Sequence, residues 1–328
     1  MSAIISIVDG GFSTQLSRHV GDKIDGDPLW TARFLATHPE AVLATHLDFL
    51  RAGSDIILTN TYQASVEGYA EHLGMTESES LHLIHKAVEL ADEAVRIYME
   101  ERGTMDSTGS KDWRPLIAGS CGPYGASLHD GSEYTGSYAS TVTKSFLREW
   151  HRPRIEALIN SGVDLLALET IPCAIEAEAL VELLKEYPST KAWMSFSCRT
   201  DGKRIVDGSD FRRTAIASYR SAIPGQLVAV GINCIAPRLA ASFFQGINQG
   251  EQSVPLVLYP NSGETYTVAE GWRKYGNEPQ LENFIQEWLD LGVRYVGGCC
   301  RTYAKDVTKI KAEVEEWLEK KKRDPQCC

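Results

Sequence analysis

IISIVDGGF, residues 4–12, is a run of five residues, apolar except for Ser6, that ends in an acid, two glycines and an aromatic ring. A short buried strand followed by a glycine turn opens two architectures, a doubly wound dinucleotide-binding sheet or an α/β barrel. The first would carry GxGxxG here, glycines that let a pyrophosphate approach a helix N-terminus. DGGF lacks that spacing. The stretch therefore points away from a dinucleotide fold and toward a barrel.

Working outward, seven further runs have the same character: DIIL (55–58), PLIAG (115–119), VDLLAL (163–168), AWMSFS (192–197), LVAVGI (227–232), PLVLY (255–259) and VRYVG (293–297). Each is brief and nearly continuously apolar, as strands covered on both faces must be. Between them the apolar spacing turns helical, over 39–51, 77–101, 140–161, 174–187, 209–222, 237–247, 279–291 and 303–322. Pro39 suits the first turn of its helix. Strands alternating with helices imply a parallel sheet, and eight units are the number that closes a (β/α)8 TIM barrel. The expectation is a single barrel domain over 1–323, with a short tail at 324–328. The polar stretch 103–113 reads as a surface loop on the barrel's N-terminal side.

The 328 residues carry 33 basic and 44 acidic side chains, a net charge of −11. An acidic chain is a poor partner for nucleic acid or polyphosphate, which need positive surface. No apolar run is long enough to span a bilayer, and the first residues lack the basic start of a signal peptide. A cytoplasmic monomer acting on small molecules is expected, without nucleic-acid or membrane partners.

Chemistry in a barrel collects where strands end. The sixth strand there delivers Asn233 and Cys234, and the eighth delivers Gly297, Gly298, Cys299 and Cys300. A lone cysteine at such a place is ordinarily a core residue. Three, from strands whose ends converge on one mouth, form a thiolate set suited to zinc, with a fourth position left for substrate. Gly297 and Gly298 are expected to turn the backbone tightly so that both neighbours reach the metal. Cys121 and Cys198 also end strands but have no such company, and Cys173 opens a helix; packing or pocket lining is the expectation for them. None of the eight histidines ends a strand or sits in HExxH, which disfavours a histidine-based zinc hydrolase.

Asp9 and Glu169 close the first and fourth strands. Either acid alone could merely cap a helix. Beside three thiolates and a dication, the pair reads as an anchor for a substrate ammonium group. Such a metal is better suited to holding another thiolate than to making hydroxide. A thiol with an ammonium group describes an amino-acid thiol.

Read in order, DGGFSTQL, PLWTARFL, TNTYQAS, GSCGPYGA, ALET, GINC, YPNSGE and VGGCC resemble the homocysteine S-methyltransferases over essentially the whole chain. The resemblance implies a (β/α)8 barrel with catalytic zinc held by Cys234, Cys299 and Cys300. It implies that Asp9 and Glu169 hold the homocysteine amino group. The backbone around Gly10, Gly11 and Phe12, with Thr59, would bind its carboxylate and wall the pocket, and Asn233 would support the site beside Cys234. The implied reaction is attack of the homocysteine thiolate on the methyl group of a sulfonium donor, giving methionine. Tyr124, Tyr134 and Tyr259 are candidates for aromatic faces against the donor's cationic sulfur.

Three branches of the family separate on length and blocks. Cobalamin-dependent members carry this barrel ahead of further domains, for which 328 residues leave no room. Betaine-using members resemble the chain through DGGF but extend further at the C-terminus. TNTYQAS, GSCGPYGA and YPNSGE resemble the branch that uses S-methylmethionine and accepts S-adenosylmethionine. A selenocysteine or betaine-type methyltransferase is the alternative within the family, and a non-catalytic zinc or thiol sensor the more remote one. A phosphate-binding barrel using the glycines of strand eight would leave the cysteines without a role. Cys327-Cys328 after KKKR resembles a prenylation terminus, but a loose end with adventitious thiols is the reading expected here.

Overall fold

A computed structural model describes residues 4–21, 24–105, 113–249, 253–267, 271–273 and 280–323. Eight parallel strands run β1 (Ser6–Ile7), β2 (Ile56–Leu58), β3 (Leu116–Cys121), β4 (Leu165–Ile171), β5 (Ala192–Phe196), β6 (Leu227–Asn233), β7 (Leu256–Tyr259) and β8 (Val293–Val296). Their order around the sheet is β1-β8-β7-β6-β5-β4-β3-β2. The ring closes through a parallel bridge between Val8 and Ile56, where the Asp9 amide also donates to the Ile56 carbonyl at 3.1 Å. This is the (β/α)8 barrel that the alternation of runs predicts.

Each strand is apolar on both faces because it serves two cores. Inside the barrel, Val8, Ile56, Ala118, Leu165, Ala167, Trp193, Ala229 and Val257 pack together, with the fully buried indole of Trp193 filling much of the bore. Outside, Ile57, Ile117, Leu166, Met194, Val230 and Leu256 meet the helices in one larger core. A one-residue slip would exchange the two sets, so the register is fixed by packing.

The major helices are α1 (Phe12–Val20), α2 (Pro39–Ala52), α3 (Val66–Leu73), α4 (Glu77–Met105), α5 (Lys144–Asn160), α6 (Ala174–Leu184), α7 (Phe211–Ser221), α8 (Pro237–Phe244), α9 (Ile285–Asp290) and α10 (Ala304–Arg323). Local chemistry sets several ends. Pro39 begins α2, and Gly53 ends it in the left-handed region, its amide returning to the Leu50 carbonyl at 3.0 Å. Thr76 and Glu79 exchange hydrogen bonds ahead of α4 as a capping box.

Four features depart from the sequence expectation. Helices α1 and α3 stand where no helix was expected. The region expected to be one helix over 279–291 is a 3-10 turn, Leu281–Phe284, followed by α9. A separate antiparallel hairpin, Thr265–Thr267 with Gly271–Arg273, follows β7. The expected loop at 103–113 begins later, because α4 continues to Met105; residues 106–112, like the tail 324–328, lie outside the described residues.

At the barrel's N-terminal face, acids are consumed by the fold. Asp55 accepts from the Ile7 amide at 2.8 Å. Asp164 accepts from the Ile117 amide at 2.8 Å and pairs with Arg114 at 2.6 Å. Both fasten a neighbouring strand at its start.

Candidate metal and substrate site

The opposite face, where the strands end, surrounds a cavity of about 660 Å³, including its open mouth. All ten residues singled out from the sequence line it. Asp9, Gly10, Gly11 and Phe12 come from the end of β1, Thr59 from β2, Glu169 from β4, Asn233 and Cys234 from β6, and Cys299 and Cys300 from β8.

The loops that bear the cysteines are zipped together by main-chain bonds. The Cys234 amide donates to the Tyr259 carbonyl at 3.0 Å, Cys299 to Pro260 at 2.7 Å, and Ser262 to the Cys300 carbonyl at 3.1 Å. Cys234 has φ +52°, a left-handed conformation that a side chain adopts only under constraint. Its sulfur lies 3.3 Å from that of Cys300, which is 4.0 Å from Cys299, and the three sulfurs all lie within 4.8 Å of one another.

Gly297 and Gly298 act differently from expectation. Neither is among the residues with positive φ, so a left-handed turn is not their contribution. A Cβ on Gly297 would meet the Asp9 carbonyl at 2.7 Å, and one on Gly298 would meet the Thr302 hydroxyl at 2.2 Å. Gly297 lets the end of β8 press against Val8 and Asp9 after β1, and Gly298 lets Thr302 fold back under the cysteine loop.

Three sulfurs bonded to one tetrahedral zinc at ~2.3 Å would stand roughly 3.8 Å apart, close to the spacing found. The protons give a second test of fit. Hydrogen bonds from Cys299 and Cys300 hold the Cys234 thiol well below its usual range. Donating to Cys234 pushes Cys299 and Cys300 well above theirs. Three thiolates crowded this closely would require a cation among them. The residues fit a divalent metal with thiolate preference.

Asp9 and Glu169 face the same cavity and are 2% and 6% exposed, yet neither has a salt-bridge partner among the described residues. Burial raises Asp9 well above the usual carboxylate range, against the Leu58 amide that donates to it at 2.8 Å. Burial also pushes Glu169 up to about 7, while hydrogen bonds from Ser120 and Tyr259 pull the other way. The charge of Arg154 offsets part of the cost at Glu169, but two buried acids without a salt bridge are costly to ionise unless a further cation arrives.

Asn233 ties the acid side to the cysteine side. Its Oδ1 accepts from the Thr170 amide at 2.9 Å and the Ser195 hydroxyl at 2.8 Å, while its Nδ2 donates to Thr170 Oγ1 at 2.8 Å. Thr170, at φ +60°, is held in its unusual conformation by this clamp. Thr59 is likewise occupied within the wall, its hydroxyl accepting from the Ser120 amide at 3.0 Å.

A family model described as homocysteine S-methyltransferase matches residues 6–314. The chain belongs to the homocysteine S-methyltransferase family. The homocysteine S-methyltransferase of Escherichia coli strain K12 is 42% identical over 94% of each chain. A protein of Drosophila melanogaster named betaine-homocysteine S-methyltransferase is 48% identical over 93% of each. The metallated form of the E. coli homocysteine methyltransferase MmuM superposes with TM-score 0.80 at 39% identity, covering 94% of this chain and 96% of that one.

With the family placed, the walls of its site show what sequence reasoning missed. Of the three tyrosines considered, Tyr134 and Tyr259 line the cavity, whereas Tyr124 is drawn aside against Tyr138, Phe146 and Trp150. Tyr259 is in the floor, its hydroxyl 2.6 Å from Ser195 and 3.2 Å from Trp193 Nε1. Tyr134 hangs over the mouth half exposed, its hydroxyl directed at the Cys234 sulfur. Trp30 and Tyr62, which the sequence reading passed over, complete the aromatic wall edge to face, 5.9 Å between ring centroids. Trp30 also has positive φ, +46°. Both residues stand in quoted motif blocks, PLWTARFL and TNTYQAS, so the signal was an aromatic ring beside a strand-end loop.

Of the expected carboxylate contacts, the Gly11 amide is already spent on the Thr302 carbonyl at 3.0 Å. Gly11 is the N-cap of α1 and supplies no side-chain cap, so the first-turn amides of Phe12 and Ser13 have no side chain bonded to them. Cys121 and Cys173 are buried in the packing, and Cys198 lies partly buried against the larger core.

Proposed function

We propose that the chain is a zinc-dependent enzyme that transfers a methyl group from S-methylmethionine or S-adenosylmethionine to homocysteine, giving methionine in the cytoplasm. One observation carries the reading: a single cavity joins three cysteine sulfurs spaced for one metal ion to two buried acids that have no salt-bridge partner among the described residues. Homocysteine answers both needs, with a thiol at one end and an ammonium group at the other.

Cys234, Cys299 and Cys300 would hold the zinc, which when bound favours loss of the substrate thiol's proton at neutral pH. Asp9 and Glu169 bind the ammonium group and so fix the distance at which the thiol presents itself. The uncapped first turn of α1 offers its amides and the positive end of its dipole to the carboxylate. Trp30, Tyr62 and Tyr134 face the donor's cation with their rings. Glu133 adds a buried carboxylate oxygen without a hydrogen-bond partner in the same loop. A bond forms between the homocysteine sulfur and the methyl carbon as the carbon–sulfonium bond breaks. The broken bond's electron pair returns to the donor sulfur, which leaves as a neutral thioether, and the thiol proton passes to solvent. The protein's contribution is orientation and exclusion of water around two oppositely charged sulfurs.

Betaine is the second reading. The betaine-named relative is 48% identical, and the chain covers 93% of it, so length alone does not set the two apart. A donor panel decides. Zinc-loaded protein and homocysteine should yield methionine with a sulfonium donor and far less with betaine. Faster turnover with betaine favours the second reading, and no methionine from any sulfonium donor at full zinc occupancy overturns the first.

A further inference from the structure

Behind the mouth, three buried polar side chains stand in line. Arg154 and His151 lie on α5 and Glu176 in the first turn of α6, at 3%, 0% and 0% exposure. Arg154 Nη2 is 2.8 Å from His151 Nδ1, and His151 Nε2 is 2.8 Å from Glu176 Oε1. A guanidinium only donates, so Nδ1 accepts and the ring's proton sits on Nε2, donated to Glu176. Burial keeps the imidazole's pKa down, consistent with this neutral tautomer. One positive and one negative charge are thereby joined through a neutral ring.

The line fastens the loops of the aromatic wall. Arg154 donates to the carbonyls of Tyr62 at 3.2 Å and Ala64 at 3.3 Å after β2, and of Gly122 at 2.7 Å after β3. Glu176 accepts from the Tyr124 amide at 2.7 Å and from the Tyr138 hydroxyl. Between those two anchors the chain carries Glu133 and Tyr134 to the mouth. It is folded so tightly that a Cβ on Gly125 would meet the Glu133 amide nitrogen at 2.8 Å. The homocysteine side is held by separate bonds, Gly11 to Thr302 and Gly298 to Asp9, in which the three side chains take no part.

We propose that Arg154, His151 and Glu176 form a positioning relay that sets Tyr62 and Tyr134 for the methyl donor while touching neither substrate. The proposal rests on the methyl-transfer reading above. It separates two loads within one cavity: donor recognition depends on all three members, whereas homocysteine recognition meets the relay only through the charge of Arg154 near Glu169, which a change at His151 leaves in place.

His151 is the member to change, because its loss leaves both charges in place. In the zinc-loaded enzyme, His151→Leu should raise KM for the sulfonium donor on the order of tenfold, the scale that small misplacements reach. KM for homocysteine and zinc bound per chain should stay at wild-type values. His151→Gln, whose amide both accepts and donates, should recover most of the loss. Amide hydrogen exchange should quicken over 122–141 in His151→Leu and remain unchanged over 9–14. An unchanged donor KM, equal rises in both KM values, or a Gln variant as impaired as Leu would overturn the relay. If His151→Leu fails to fold, Tyr138→Phe removes one hydroxyl from Glu176 and carries the same expectations. If the wild type forms no methionine, the methyl-transfer reading falls, and the exchange comparison alone still decides whether the relay holds the loop.

Discussion

Asp55 and Asp164 at the barrel's N-terminal face and Asp9 and Glu169 at its C-terminal mouth are the same chemistry put to opposite uses. The first pair is answered from within: each accepts a backbone amide of a neighbouring strand, and Asp164 adds Arg114. The second pair is buried more deeply: Asp9 also accepts an amide, from Leu58, and Glu169 feels the charge of Arg154, but neither has a salt-bridge partner among the described residues, and both face three clustered cysteines. Positive φ sharpens the contrast, since Trp30, Thr170 and Cys234 all line the mouth and Arg301 follows the cysteines directly. The N-terminal face is finished by folding; the mouth is finished only by what binds there. Strain and unpaired charge concentrated at one end of a rigid barrel are the physical mark of a site.

The comparison can be broken most forcefully at the cysteines. Cys299→Ala should abolish metal retention and lower kcat/KM by roughly a thousandfold, since a bound metal supplies several kcal/mol to such chemistry. The far-ultraviolet dichroism should be unchanged, and full metal content in the variant would move the ligands elsewhere. Asp9→Asn comes next. It should raise KM for homocysteine on the order of a hundredfold, the scale of a buried charge pair losing one member, with a much smaller change in donor KM.

His46 tests the ground behind the mouth. Its ring packs 5.0 Å from Phe12, and neither ring nitrogen has a hydrogen-bond partner. Burial lowers its pKa from 6.5 to about 3. The unfolded chain therefore takes up a proton that the folded one refuses, and stability falls as pH drops below 6.5. Between pH 7 and pH 5 the wild type should lose about 2 kcal/mol more than His46→Leu in urea unfolding. Equal losses would show that the ring finds a partner. The smallest effect belongs to the N-terminal face. Asp164→Ala should cost about 1 kcal/mol of stability and leave both KM values alone.

Much of this was legible in the sequence, for a reason particular to barrels. Runs such as LVAVGI are apolar on both faces because one face fills the bore and the other meets helices, so eight of them announce eight strands. Strand ends then index the site, which is why Asp9, Cys234 and Cys299 could be placed together from spacing alone. The losses have equally local causes. Helix α1 was hidden because DGG reads as a loop, although Phe12, Leu16 and Val20 keep helical spacing. Strand β4 runs on to Ile171, past the end of the apolar run, because burial covers Glu169 and Thr170 as well. Gly297 and Gly298 read as a turn because the sequence shows flexibility but not the Asp9 carbonyl and the Thr302 side chain that a Cβ at the two positions would strike. Nothing local could reveal the relay, whose members bond to carbonyls up to 92 residues away.

The central claim, that the mouth's acids wait for a substrate cation, is tested most directly by melting metal-loaded Glu169→Gln and wild type with and without homocysteine at pH 8. Glu169 is held up to about 7 when folded, above its ordinary 4.5. Its ionisation therefore costs stability as pH rises through that window, and the cost is in full at pH 8. The account predicts that Glu169→Gln melts no lower than wild type without homocysteine and loses most of the rise that homocysteine gives. A variant that melts well below wild type yet keeps the full rise would contradict it, and would make Glu169 a structural acid like Asp164.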